Sequence, residues 1–164
     1  MYDPSSLTPG QIILVRSSGI LADAIKFATV NPYSHAVMVG NGYILESLWK
    51  IVKSPLDKYA TTGDAYLVDA SQEQRLGAVK WMENHLGQIY GIEAILEDGA
   101  RDIAHIPIWP KLNPRSVTCS GAVSIAYQMQ GVILTYACLP SPADLSYSPL
   151  LVGKRPWEKK GAAI

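Results

Sequence analysis

Ser34-His35-Ala36-Val37-Met38-Val39-Gly40-Asn41-Gly42-Tyr43-Ile44-Leu45-Glu46-Ser47 is the stretch on which the reading of the fold turns. Two mostly apolar runs flank Gly40-Asn41-Gly42. An Asn-Gly pair in that setting is a strong hairpin signal, since both residues tolerate positive φ. A two-residue loop at Asn41-Gly42 sets Gly40 opposite Tyr43, Val39 opposite Ile44, Met38 opposite Leu45 and Val37 opposite Glu46. Opposed residues share a face and side chains alternate along a strand, so His35 lies on the face of Val37. Glu46 is then the diagonal neighbour of His35, within reach of long side chains. A three-residue loop would move the register by one and send Glu46 to the other face.

Outward from this hairpin, residues 11–16 form a short apolar run after Pro9-Gly10 and read as a buried strand. Apolar positions 20, 21, 24, 25 and 28 have helical spacing, and Asn31-Pro32 stops that helix because the residue before proline avoids the α region. Residues 51–53 and 65–68 read as further strands. Ser71 and Gln74 fit a capping box that starts a helix with Leu76, Val79, Met82 and Leu86 as its apolar stripe and Gly87 as its stop. A further helical turn fits 92–96. Three prolines make 97–115 a long loop, and the helix at 120–130 turns Ala122, Val123, Ala126 and Met129 inward before Gly131. Ser141-Pro142-Ala143-Asp144 has the form of a helix start. Hairpins clustered between helices predict an α+β fold.

The chain has 164 residues, 48% hydrophobic and 17% charged, with zero formal charge. That length fits a single domain over 1–164 with a real core, and 152–164 reads as an extended tail. Zero net charge gives no overall field toward nucleic acid or an anionic membrane. No segment reaches the roughly 20 apolar residues of a membrane helix. The start of the sequence has no Sec-type pattern, so the protein is expected in the cytoplasm or delivered within a larger assembly such as a virion or secretion system. Two cysteines, Cys119 and Cys138, make no disulfide framework and match no zinc spacing. No cofactor or metal is expected.

Cys119 stands where the proline-rich loop gives way to a helix. The helix-start amides and dipole stabilise a thiolate there, and nearby N–H groups suit an oxyanion. A buried core cysteine is the plainer reading of the same position. A thiol nucleophile needs a base. His35 opens an apolar strand, and Glu46 across the hairpin can accept one ring proton and leave the other nitrogen for the thiol. Taken singly, His35 reads as a strand-end histidine and Glu46 as a solvent-facing carboxylate; the geometry linking them favours the functional reading. His85 at a helix end has a sufficient structural role, His105 lies in the loop, and Cys138 has no comparable surroundings.

The residues in this order resemble the circularly permuted branch of the NlpC/P60 papain-like superfamily, which includes YiiX/YebB-like proteins and relatives of lecithin retinol acyltransferase. Six segments carry the resemblance. Pro9-Gly10-Gln11-Ile12-Ile13-Leu14-Val15 resembles the opening "GDI" strand, with Gln11 in place of the usual Asp. Tyr33-Ser34-His35-Ala36-Val37-Met38-Val39 resembles the histidine strand, and Tyr43-Ile44-Leu45-Glu46-Ser47 the strand with the third polar residue. Gly87-Gln88-Ile89-Tyr90-Gly91 resembles a G-x-x-Y segment, Val117-Thr118-Cys119-Ser120-Gly121-Ala122 the cysteine motif, and Pro140-Ser141-Pro142-Ala143-Asp144-Leu145 the C-terminal stretch.

The resemblance implies a small barrel-like sheet packed on helices and a catalytic set of Cys119, His35 and Glu46. Tyr33, Ser34, Thr118, Ser120 and Tyr90 are then candidates for the substrate cleft. It further implies acyl-enzyme chemistry on an amide, with a peptide or peptidoglycan fragment as substrate. A lipid or thioester acyl hydrolase or transferase, and a structural module bound to an assembly partner, are the alternatives.

Overall fold

The computed structural model describes residues 2–18, 27, 29–48, 50–87 and 118–153. The expected helix at 20–29, apart from Phe27 and Thr29, lies outside these residues. So do the turn at 92–96, the loop 97–115 and the tail from 154. The fold is α+β. Its six strands are β1 (Ile12–Val15), β2 (His35–Val39), β3 (Tyr43–Ser47), β4 (Ile51–Pro55), β5 (Gly63–Val68) and β6 (Leu151–Val152), in the order β4-β3-β2-β1-β5-β6. Every neighbouring pair is antiparallel. The helices are α1 (Gln72–Asn84), α2 (Cys119–Gln128) and the short α3 (Pro142–Ser146).

The central hairpin has the register of a two-residue loop: Val37 pairs with Glu46, Met38 with Leu45 and Val39 with Ile44. The Gly40 amide donates to the Tyr43 carbonyl at 2.8 Å. Only Gly42 of the Asn-Gly pair takes the left-handed conformation, with φ +84°. Asn41 therefore makes no use of its tolerance for positive φ.

Alternation gives the sheet two different faces. Ile12, Leu14, Ala36, Met38, Leu45 and Tyr66 meet α1 and α2 in the larger core. Ile13, Val15, Val37, Val39, Ile44 and Ala65 form a smaller core under Tyr2, Leu56 and Tyr59. Glu46 belongs to this second face, which the N-terminal segment and the β4–β5 connection cover.

The capping box of α1 forms as the sequence indicates, Ser71 and Gln74 each satisfying the other's backbone amide. The apolar stripe does not. Ala78, Val79 and Met82 are buried, whereas Leu76 and Leu86 are exposed. Leu76 lies about 100° around the helix from Arg75, whose backbone and Cβ press on Gly10, and Leu86 falls past the helix end. In α2, Ala122, Val123 and Ala126 face inward as expected, but Met129 caps the helix in solvent and Tyr127 takes the core position. The Tyr127 hydroxyl donates to the Gly10 carbonyl. Gly10, at φ +86°, has no room for a Cβ against Arg75, so one glycine lets both helices close on the sheet. Val152, expected in a tail, pairs with Leu67 in β6.

Candidate active site

Thr118 caps α2. Its side chain accepts from the Gly121 amide at 2.9 Å, and its carbonyl accepts from Ala122. This places Cys119 at the first helical position, one residue earlier than the sequence pattern indicates, with the positive end of the helix dipole at its sulfur. Helix α2 packs across β2, and Cys119 comes to the start of that strand. There the thiol lies beside the His35 side chain and near the backbone amides of Ala36 and Ser120, close enough for each to act on its charge. The Ala36 contact follows from the ladder: pairing of β2 with β3 stops at Val37. The next amide along that edge thereby lies outside the β2–β3 ladder, on the side where the sulfur sits.

His35 Nε2 donates to Glu46 Oε2 at 3.1 Å. Imidazole has two nitrogens, so Nδ1 is the one left for the thiol. Glu46 is completely buried, yet both its oxygens are filled. Oε1 accepts from the Ser54 hydroxyl and the Lys58 ammonium, and Oε2 accepts from Tyr59 at 2.8 Å as well as from His35. The Tyr59 ring meets the His35 ring edge-on, with centroids 5.8 Å apart.

Burial alone would raise the Cys119 thiol pKa, but the charge and hydrogen bond of His35, with the two backbone amides, bring it below the ordinary thiol range. Burial would likewise lower His35. Cys119 first and Glu46 second overcome it and raise the imidazole to about 9. Burial pushes Glu46 up, and bonds from His35, Lys58, Ser54 and Tyr59 outweigh that and hold it at about 2. The arrangement draws the thiol toward thiolate and the imidazole toward imidazolium, backed by an anionic carboxylate.

The remaining site candidates stand differently. Tyr33 is buried and donates to Asp64 at 2.6 Å while accepting from Tyr66. Ser34 bonds within the 15–17 segment. The Ser120 hydroxyl donates to the Pro140 carbonyl, and Thr118 is the helix cap. Each of these four side chains thus has an internal partner. Tyr90 and His105 lie outside the described residues. His85 caps α1, donates to the Trp81 carbonyl at 2.7 Å and stacks on that indole. Cys138 is exposed.

Sequence reasoning missed Ser54, Lys58 and Tyr59. Ser54 was within reach: pairing Glu46 with Val52 across the β3–β4 turn places it opposite Ile44, on the Glu46 face. Lys58 and Tyr59 follow β4 in a turn that folds back under the sheet, and no local pattern marks that return.

No protein-family model matches the chain, and no curated protein does. Among solved structures, YiiX from Escherichia coli O157:H7 is similar in fold, with a TM-score of 0.68 at 20% identity over 90% of this chain and 97% of that one. YiiX is described as a metalloprotein. The described donors do not fit an ion. Among the described residues no group of three or more His, Cys, Asp or Glu side chains is placed to hold one. The one buried carboxylate beside His35 already carries an ammonium. No described helix is long and apolar enough to cross a membrane.

Proposed function

We propose that this protein is a papain-like cysteine hydrolase that works through an acyl-enzyme on an amide bond, with a peptidoglycan peptide as substrate. The observation that carries the reading is the His35 imidazole bonded on one side to the fully buried Glu46, with the Cys119 thiol at the start of α2 beside the same ring. The six segments shared with the permuted NlpC/P60 branch and the likeness of the fold to YiiX support it.

The chemistry follows from the contacts. The Cys119 thiolate attacks the amide carbonyl, and the oxyanion forms beside the amides at the start of α2. Imidazolium at His35 gives its proton to the leaving nitrogen as the C–N bond breaks. Neutral His35 then takes a proton from water, hydroxide attacks the thioester, and the carboxylic acid leaves as the C–S bond breaks and the thiolate–imidazolium pair is restored. Glu46 keeps the ring in one orientation and stabilises its charged form. Zero net charge suits a peptide substrate better than an anionic lipid surface.

Incubation with purified muropeptides and with short-chain thioesters, read by mass, tests the substrate. Muropeptide cleavage lost in Cys119→Ala is expected. Turnover of thioesters alone would replace the amidase reading with acyl transfer or thioester hydrolysis, and no Cys119-dependent product from either would end the enzymatic reading. Thiol-probe labelling belongs in a Cys138→Ser background, because Cys138 is exposed and competes for the probe.

A further inference from the structure

Lys58 lies in the turn after β4, two elements away from the nucleophile, and its ammonium meets the one carboxylate that holds the base. A fully buried carboxylate with an imidazolium and a thiolate beside it makes a cluster with one net negative charge. Lys58 brings that sum to zero. Its side chain is 35% exposed, so it reaches in from solvent instead of being interred.

We propose that Lys58 is a positioning residue for the Cys119–His35 pair: it fixes Glu46 Oε1, turns Oε2 toward His35, and sets the pH window in which the pair is charged. This rests on the reading of Cys119 and His35 as nucleophile and base. The groups facing the cluster are Cys119 from α2, Ser54 from β4, Lys58 and Tyr59 from the following turn, and Tyr2 from the N-terminal segment, with Asp57 beside Tyr2. Among these described groups Lys58 is the only cation apart from the imidazolium itself. Removing a positive charge raises the pKa of every nearby acid, thiol and imidazolium alike. The whole activity window therefore moves in one direction. A merely structural lysine would change the amount of folded protein and leave the window in place.

The experiment measures the rate of Cys119 alkylation by iodoacetamide against pH, in the Cys138→Ser background, for the parent, Lys58→Met and Lys58→Arg. The parent is expected to react well below the ordinary thiol pKa of about 8.5. Lys58→Met is expected to shift the profile upward by at least about half a pH unit, and Lys58→Arg to restore it. Lys58→Gln, which keeps a donor for Oε1 but not the charge, carries the same expectation if Lys58→Met does not fold. Superimposable profiles for the parent and the charge-removing variant overturn the proposal. A parent profile with an ordinary thiol pKa overturns the thiolate–imidazolium reading itself, whatever Lys58 does.

Discussion

Two buried carboxylates on this sheet are built almost alike. Glu46 on β3 takes an ammonium from Lys58 and a hydroxyl from Tyr59; Asp64 on β5 takes a guanidinium from Arg16, at 2.7 and 2.9 Å, and a hydroxyl from Tyr33. The resemblance ends at the next partner. Asp64 is followed by Tyr66 through Tyr33, whereas Glu46 is followed by an imidazole and then a thiol. Burial with a cation and a tyrosine is what any inward-facing carboxylate needs in order to be tolerated. In the proposed mechanism, the proton-transferring capacity comes from what that carboxylate holds in place. The cations differ in kind as well. Arg16 grips Asp64 as a fixed fork, whereas Lys58 offers a point charge that leaves the other Glu46 oxygen to be aimed.

The widest separation between the two clusters is expected in reactivity. Cys119→Ala abolishes turnover. In His35→Ala the thiol returns toward a pKa of about 8.5, so only about 3% is thiolate at pH 7, and alkylation slows by up to about thirtyfold, the limit set by a fully ionised parent thiol. Turnover falls further, by about 10²- to 10⁴-fold, because the general acid is lost as well. Asp64→Asn leaves the alkylation rate of folded protein within about twofold, since Arg16 and Tyr33, its described partners, bond neither the thiol nor the imidazole. Equal losses in Asp64→Asn and His35→Ala would erase the distinction.

Acid stability sharpens the same contrast. Glu46 is held at about 2 in the fold against an ordinary value of 4.5. A lowered folded pKa gives stability that is present above pH 4.5 and is lost as the pH falls through 2. Glu46→Gln has no such group. Its deficit against the parent, about 1–3 kcal/mol near pH 7 from the altered hydrogen bonds, is expected to shrink between pH 4.5 and 2. Urea midpoints at pH 7, 4 and 2.5 measure it. A deficit that stays constant over that range would mean Glu46 is not anionic in the fold.

The His35–Glu46 side of the site was legible because a β-hairpin is local arithmetic. Asn41-Gly42 sets the loop length, the loop sets the register, and the register carries Glu46 to His35. Cys119 was legible as a helix start, since capping is also local. What could not be read was the return of the β4–β5 turn beneath the sheet, which brings Lys58 and Tyr59 to Glu46, because burial against a distant strand leaves no periodic trace. The same limit explains the helices. Periodicity places Leu76 and Met129 on apolar stripes, but only packing against Gly10 and the sheet decides which side of each helix is covered. Tyr33, Ser34, Thr118 and Ser120 looked like cleft residues because they flank the base and the nucleophile in sequence. Immediate neighbours along a strand point away from one another, and Tyr33, two residues before His35, is held instead by Asp64 and Tyr66; all four side chains bond inward.

The smallest expected effect separates the two tyrosines. Tyr33→Phe removes a hydroxyl from Asp64 but leaves the bidentate Arg16 contact, so it costs about 1 kcal/mol of stability and does not alter thiol reactivity. Tyr59→Phe removes a donor from the very oxygen that His35 uses, while the ring that meets the imidazole edge-on remains. The stability loss is expected to be similar, about 1 kcal/mol. Glu46 Oε2 then has one anchor fewer, and the imidazole samples orientations that miss the sulfur; turnover is expected to fall about threefold to tenfold, a fraction of the roughly 1.5–3 kcal/mol of a hydrogen bond to a charged group, because Ser54, Lys58 and His35 still hold the carboxylate. Thermal midpoints and Cys119 alkylation on the same two variants compare them directly. If Tyr33→Phe slows the thiol as much as Tyr59→Phe does, the two carboxylate clusters are coupled through the sheet, and the His35 side has no privileged claim on the chemistry.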